Sequence, residues 1–163
     1  MKTIVIKSFL LYAVIMAYTL TGCVSNESTE AHDDACLTEK ARLESNKAMV
    51  MEFYQKLFGD KDLSVIDKYI AEDYIQHNPA AADGRQALKD VLEVWFKDAP
   101  KDSVDFQRVT ADGDLVILHI RSQMSGKTFA IVDIFRIEAG MIAEHWDVIQ
   151  EVPEKSANEH PMF

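Results

Sequence analysis

A change of hydrophobic period at Pro100 constrains this chain more than any other feature of its sequence. Before it, apolar residues recur at helical spacing. Val50, Phe53, Tyr54, Leu57 and Phe58 share one face, with Gly59 ending the run. Leu88, Val91, Leu92, Trp95 and Phe96 do the same in a later segment, with Asp83 as the expected N-cap and Pro100 as the stop. Between them the pattern predicts a short helix over 63–70 and an irregular loop over 72–79, ended by Pro79. After Pro100 four segments read as strands, 104–110, 115–124, 127–137 and 141–151. Their connections are so short that successive strands must run antiparallel. Helices first and strands afterwards predict an α+β fold, with the helices packed on one face of the sheet.

Register decides which polar side chains meet. A two-residue type I′ turn needs φ > 0 at both central positions, which suits neither Ser125 nor Ala139. Three-residue loops ending in Gly126 and Gly140 are therefore expected, and they set odd-numbered residues opposite odd-numbered ones. One face then carries His119, Asp133, His145 and Asp147 among Ile117, Ile131, Phe135 and Ile149. The even face, with Val116, Leu118, Val132, Ile134, Trp146 and Val148, is too apolar for water and is expected to form a homodimer interface.

The odd face carries the chemistry. Asp133 lies between Ile131 and Phe135, a costly setting for a carboxylate without a partner. A carboxyl in an apolar cavity moves toward the range useful to a general base, and neighbouring imidazoles can hydrogen-bond an enolate oxygen or move its proton. That combination suits proton abstraction α to a carbonyl. A purely structural Asp–His hydrogen bond is the alternative reading of the same residues. His77, Tyr54, Tyr74, His145 and Asp147 are expected to line the cavity. No H-x-H, H-E-x-x-H or C-x-x-C spacing supports a metal site, and no phosphate-binding or dinucleotide fingerprint is present.

The N-terminus reads as an address. Lys2 and Lys7 precede an uncharged, mostly apolar run over 9–20, too short to span a bilayer but the size of a signal-peptide core. It ends at Leu20-Thr21-Gly22-Cys23, which is similar to a bacterial lipobox. The expected division is a signal peptide over 1–22, a lipidated Cys23 with a flexible tether over 23–38, and a domain with a C-terminal tail over 39–163. The protein would then be exported and held at the cell envelope by lipid on Cys23. Cys36 is left without a partner cysteine. With 17 Lys+Arg against 27 Asp+Glu, the formal charge of −10 argues against nucleic acid as a partner.

The segments Tyr74-Ile75-Gln76-His77-Asn78-Pro79 with Asp83-Gly84-Arg85, Val132-Asp133-Ile134-Phe135-Arg136, and Glu144-His145-Trp146-Asp147-Val148-Ile149-Gln150 resemble the SnoaL-like polyketide cyclase branch of the nuclear transport factor 2-like superfamily. The resemblance spans roughly residues 40–152. It implies a cone-shaped fold, with N-terminal helices packed on a curved antiparallel sheet of four or more strands. It also implies intramolecular aldol chemistry without metal or cofactor, with Asp133 as acid/base and His119 as its partner. The expected function is thus a cofactor-independent enzyme acting on a small carbonyl compound. A small-molecule-binding lipoprotein with the same pocket is the alternative.

Overall fold

The computed structural model describes residues 27–163, with side chains from residue 34 onward. The expected signal peptide and Cys23 lie outside the described residues. The first helix, α1 (Glu27–Tyr54), starts well before the expected Thr38, so residues 27–38 of the expected flexible tether are helical. Ala35, Leu37, Glu39, Lys40 and Ala41 are strong helix formers and need no buried stripe to favour the helical state. Residues 34–39 are exposed, Cys36 among them. Among the described residues no helix is long and apolar enough to cross a membrane. The chain divides into two units after Glu39, and the second, Lys40–Phe163, contains the end of α1 and every later element.

Val50, Phe53 and Tyr54 are buried at the end of α1, and one π-helical turn over Gln55–Gly59 adds Leu57. Gly59 ends the run as expected, and no larger residue fits there, since a Cβ would meet the Asp102 carbonyl oxygen at 2.7 Å. The Gln55 side chain bridges the same join, accepting from the Val104 backbone N–H at 2.9 Å. A 3-10 turn over Leu63–Val65 and the short α2 (Ile66–Tyr69) stand where the second helix was expected. The next helix, α3 (Arg85–Trp95), buries Leu88 and Leu92. Its N-terminus differs from expectation: Gly84, at φ 93°, holds the N-cap position with no side-chain cap. Asp83 Oδ1 instead accepts the Gln76 backbone N–H at 2.7 Å.

The sheet is curved, open and five-stranded, in the order β1-β5-β4-β3-β2. Strands β2 (Asp105–Asp112), β3 (Leu115–Met124), β4 (Lys127–Glu138) and β5 (Met141–Glu151) form the expected antiparallel meander. The fifth, β1 (Ile70–Gln76), replaces most of the expected loop and runs parallel to β5, making the sheet mixed. Its polar residues, Glu72 and Asp73, hid the strand in the sequence, whereas Ile70 and Tyr74 are buried beneath the helices.

Both hairpins close by two-residue turns, contrary to the expected three-residue loops. Ser125 and Gly126 have φ 52° and 78°, and Ala139 and Gly140 have φ 50° and 78°. A non-glycine residue in the left-handed region costs about 1–2 kcal/mol, which the pairing and burial of the long strands outweigh. The consequence differs between the hairpins. From Met124 opposite Lys127, Leu118 falls opposite Asp133 and His119 opposite Val132. Odd residues of β4 therefore share a face with even residues of β3, and His119 leaves the face of Asp133. Between β4 and β5, Glu138 starts opposite Met141, but the register shifts between Arg136 and Ile137. That bulge sets Phe135 opposite His145 and Asp133 opposite Asp147, restoring the expected odd–odd pairing by a different route.

The face toward the helices is thus built from Val116, Leu118 and Ile120 of β3, Ile131 and Phe135 of β4, and Ile142 of β5, all buried. The expected even face is split between the two sides of the sheet. The outer side carries Ile117, Val132, Ile134 and Trp146, half-buried, and the exposed Val148.

Candidate functional site

Two polar side chains are buried on the helix-facing side, Asp133 at 4% exposure and His145 at 7%. They belong to adjacent strands, and His145 Nε2 lies 2.9 Å from Asp133 Oδ1. The imidazole stacks on Phe135, with ring centroids 4.7 Å apart. On its other edge, His145 Nδ1 is 2.9 Å from Gln76 Oε1 at the end of β1. The same Gln76 oxygen accepts the Asn78 backbone N–H at 2.9 Å, and Gln76 Nε2 donates to Tyr74 Oη at 3.0 Å. A backbone N–H can only donate, so Gln76 Oε1 is an acceptor and His145 Nδ1 carries a proton. His145 therefore turns its other nitrogen, Nε2, to Asp133 Oδ1. Asp133 Oδ2 is buried with no hydrogen-bond partner among the described residues.

Asp147, half-buried, stands beside this pair. Asn78 Nδ2 donates to its Oδ2 at 2.5 Å, while Asn78 Oδ1 accepts from the Ala80 N–H at 2.8 Å and so fixes the orientation of the amide. The backbone holds this loop to the sheet: the His77 N–H donates to the His145 carbonyl at 2.9 Å, and the Gly84 N–H to that of Tyr74 at 2.7 Å.

These residues open onto a cavity of about 830 Å³ between the helices and the sheet. Asp133, His145 and Asp147 line it together with Tyr54 and Tyr74, and Trp95 and Phe96 of the α3 end add aromatic wall. Burial pushes the Tyr54 hydroxyl well above the ordinary phenol range, and the charge of Asp133 adds to the rise. Tyr74 is raised in the same way, by burial first and then by Asp133 and Asp147. Both hydroxyls therefore stay protonated and can donate.

Two expected site residues lie elsewhere. His119 is on the outer side of the sheet, where its Nδ1 accepts from Arg108 Nη1 at 3.0 Å and its ring stacks on Phe163 at 5.9 Å. His77 is also outside the cavity: it stacks on Trp146 at 4.6 Å and bonds Glu144 Oε1 at 2.8 Å. Glu144 also accepts from Arg136 Nε at 2.7 Å, and these contacts, Arg136 before His77, hold its carboxyl below the usual range. Gln76 and Asn78 went unassigned in the sequence. The i, i+2 spacing of Tyr74, Gln76 and Asn78 would have found them had the segment been read as a strand.

Residues 50–145 match the family described as SnoaL-like domain. No curated protein sequence matches the chain. Among solved structures, a candidate polyketide cyclase from Acidithiobacillus ferrooxidans is similar, with a TM-score of 0.56, 18% identity, and coverage of 64% of this chain and 87% of the other. A candidate ketosteroid isomerase from Kribbella flavida aligns with a TM-score of 0.57 at 17% identity, over 71% and 85% of the two chains. An LEH-like epoxide hydrolase from M. tuberculosis aligns with a TM-score of 0.56 at 17% identity, over 67% and 85%. At these identities the likeness concerns the fold.

Proposed function

We propose, because the chain belongs to the SnoaL-like domain family, that its cavity catalyses proton transfer on a small carbonyl compound without a cofactor. Asp133 is the base in this reading. It takes the proton α to the carbonyl, and the electron pair of the broken C–H bond moves into the enolate. His145 replaces the expected His119 as its partner. Gln76 fixes the imidazole so that Nε2 supports Asp133 and accommodates the change of charge as the proton moves. Tyr54 and Tyr74, held protonated, are the donors that line the cavity for the growing negative charge on oxygen. Asp147, anchored by Asn78, is proposed to contact the substrate. The observation that carries the reading is the buried chain Asp133–His145–Gln76 at the cavity wall, with one Asp133 oxygen left unpartnered. The similar structures are described as a cyclase, an isomerase and an epoxide hydrolase, a range consistent with acid/base chemistry on one scaffold.

The test is deuterium exchange from heavy water into a panel of alicyclic and aryl ketones, followed by mass spectrometry. The wild type should catalyse exchange, and Asp133→Asn should reduce it by about 10²–10⁴-fold while keeping the fold. Equal exchange by the two proteins would remove Asp133 as the base. Ligand binding without exchange by the wild type would favour a binding protein with the same pocket.

A further inference from the structure

The arrangement around Asp133 holds more than a hydrogen-bonded pair. The β4–β5 register places Asp133 directly opposite Asp147, and like charges so placed repel. One donor atom each from Asp133, His145 and Asp147 falls within 4.8 Å of the others. His145 Nε2 and Asp133 Oδ1, hydrogen-bonded at 2.9 Å, need move apart only to about 3.3–3.4 Å to sit on one tetrahedral ion with bonds of about 2.0–2.1 Å. Asp147, half-buried at the cavity edge, supplies the third donor atom of this group.

The surrounding groups are those a metal site requires. A ligating histidine presents one nitrogen to the ion and donates the other N–H to a fixed acceptor. Here the acceptor is Gln76 Oε1, itself oriented by the Asn78 backbone N–H. A ligating carboxylate is in turn hydrogen-bonded, as Asp147 Oδ2 is by Asn78 Nδ2. Asp133 Oδ2 is buried and accepts no hydrogen bond of ordinary geometry, although the Tyr54 hydroxyl lies near this carboxylate, so it can still accept a closer donor or an ion. A doubly charged ion would balance both carboxylates with His145 neutral.

We propose that Asp133, His145 and Asp147 together bind one divalent transition-metal ion. One imidazole and two carboxylates are a borderline-to-hard donor set, suited to Zn²⁺, Co²⁺, Mn²⁺ or Fe²⁺ rather than to the thiophilic ions. The cavity supplies the open side, where water or a ligand oxygen completes the coordination. This goes beyond the proposed catalysis and does not depend on it. Where both hold, the ion occupies the oxygens of Asp133 and the loaded protein loses its base.

The test is titration of the chelator-treated full-length protein with Co²⁺, read by visible absorption, and with Zn²⁺, read by calorimetry. One equivalent should bind. His145→Gln and Asp147→Asn should each weaken binding tenfold or more. His77→Gln, on the outer side of the sheet, should leave it unchanged. Circular dichroism identifies a variant that has failed to fold, and Asp147→Asn, at the less buried position, keeps the proposal open to refutation if His145→Gln is lost. Absence of binding by the wild type at about 1 mM metal would overturn the proposal. So would undiminished binding in a folded His145→Gln or Asp147→Asn protein, or loss of binding in His77→Gln alone. Because no substrate enters the titration, a protein inactive toward ketones can still pass it, and an active one can still fail.

Discussion

Replacing Ala139 by Asn tests the turn that positions His145 and Asp147 against Asp133. Ala139 sits at φ 50° in the first central position of a type I′ turn, followed by Gly140 at φ 78°. The left-handed region costs an ordinary L-residue about 1–2 kcal/mol, and Asn recovers part of that because its short amide bonds locally there. Ala139 is exposed, so the larger side chain displaces nothing buried. The expected gain is about 0.5–1 kcal/mol. With an m-value of about 1.5 kcal/mol/M, the urea midpoint should rise by roughly 0.3–0.7 M at constant slope. Ser125, at φ 52° in the other hairpin, should respond equally to Ser125→Asn. The two turns lie at opposite ends of β4, so the double variant should gain the sum. A three-residue loop would place the Asn in a right-handed conformation, where it has no such advantage. An unchanged or lowered midpoint in both single variants would refute the two-residue turns and the register built on them.

The other consequences concern the site and its surroundings. Gln76→Leu removes the acceptor of both His145 Nδ1–H and the Asn78 N–H, so it should cost about 1–3 kcal/mol in urea unfolding and also lower ketone exchange. His119→Ala should leave exchange unaltered, since that ring lies against Phe163 on the far side of the sheet; a large loss would contradict the register. The lowered Glu144 carboxyl gives a pH dependence of known sign. Its contribution is present above the unfolded carboxylate value and is lost as pH falls through the lower folded value, so Glu144→Gln should flatten the acid limb of a stability profile. Cys23→Ala should move the protein from the membrane to the soluble fraction if the lipid anchor holds, and continued lipid labelling would contradict the anchor.

The candidate site was half legible in the sequence. Asp133 stood out because two large apolar neighbours on one strand imply burial, and burial makes a lone carboxylate expensive. His145 was expected on the same face together with His119, from a three-residue loop that the structure replaces by a two-residue turn and a bulge. Gln76 did not, because Glu72 and Asp73 make β1 look like loop until β5 is there to pair with it. His77 and His119 were attractive as residue types, but each points to the outer side of the sheet.

By itself the sequence determined the class of fold, because the period of apolar residues is a local property that follows from helix and strand geometry. It also determined that a carboxylate would be buried on β4. Which histidine meets that carboxylate was decided only in the tertiary structure. Ser125 and Ala139 locally disfavour the left-handed conformation they adopt, and the balance is tipped by the pairing and burial of whole strands. A bulge between Arg136 and Ile137, invisible in the alternation of residues, then shifts β5 by one position. Side chains alternate faces along a strand, so that single residue decides whether Asp133 shares its face with His145 and Asp147 or with Trp146 and Val148.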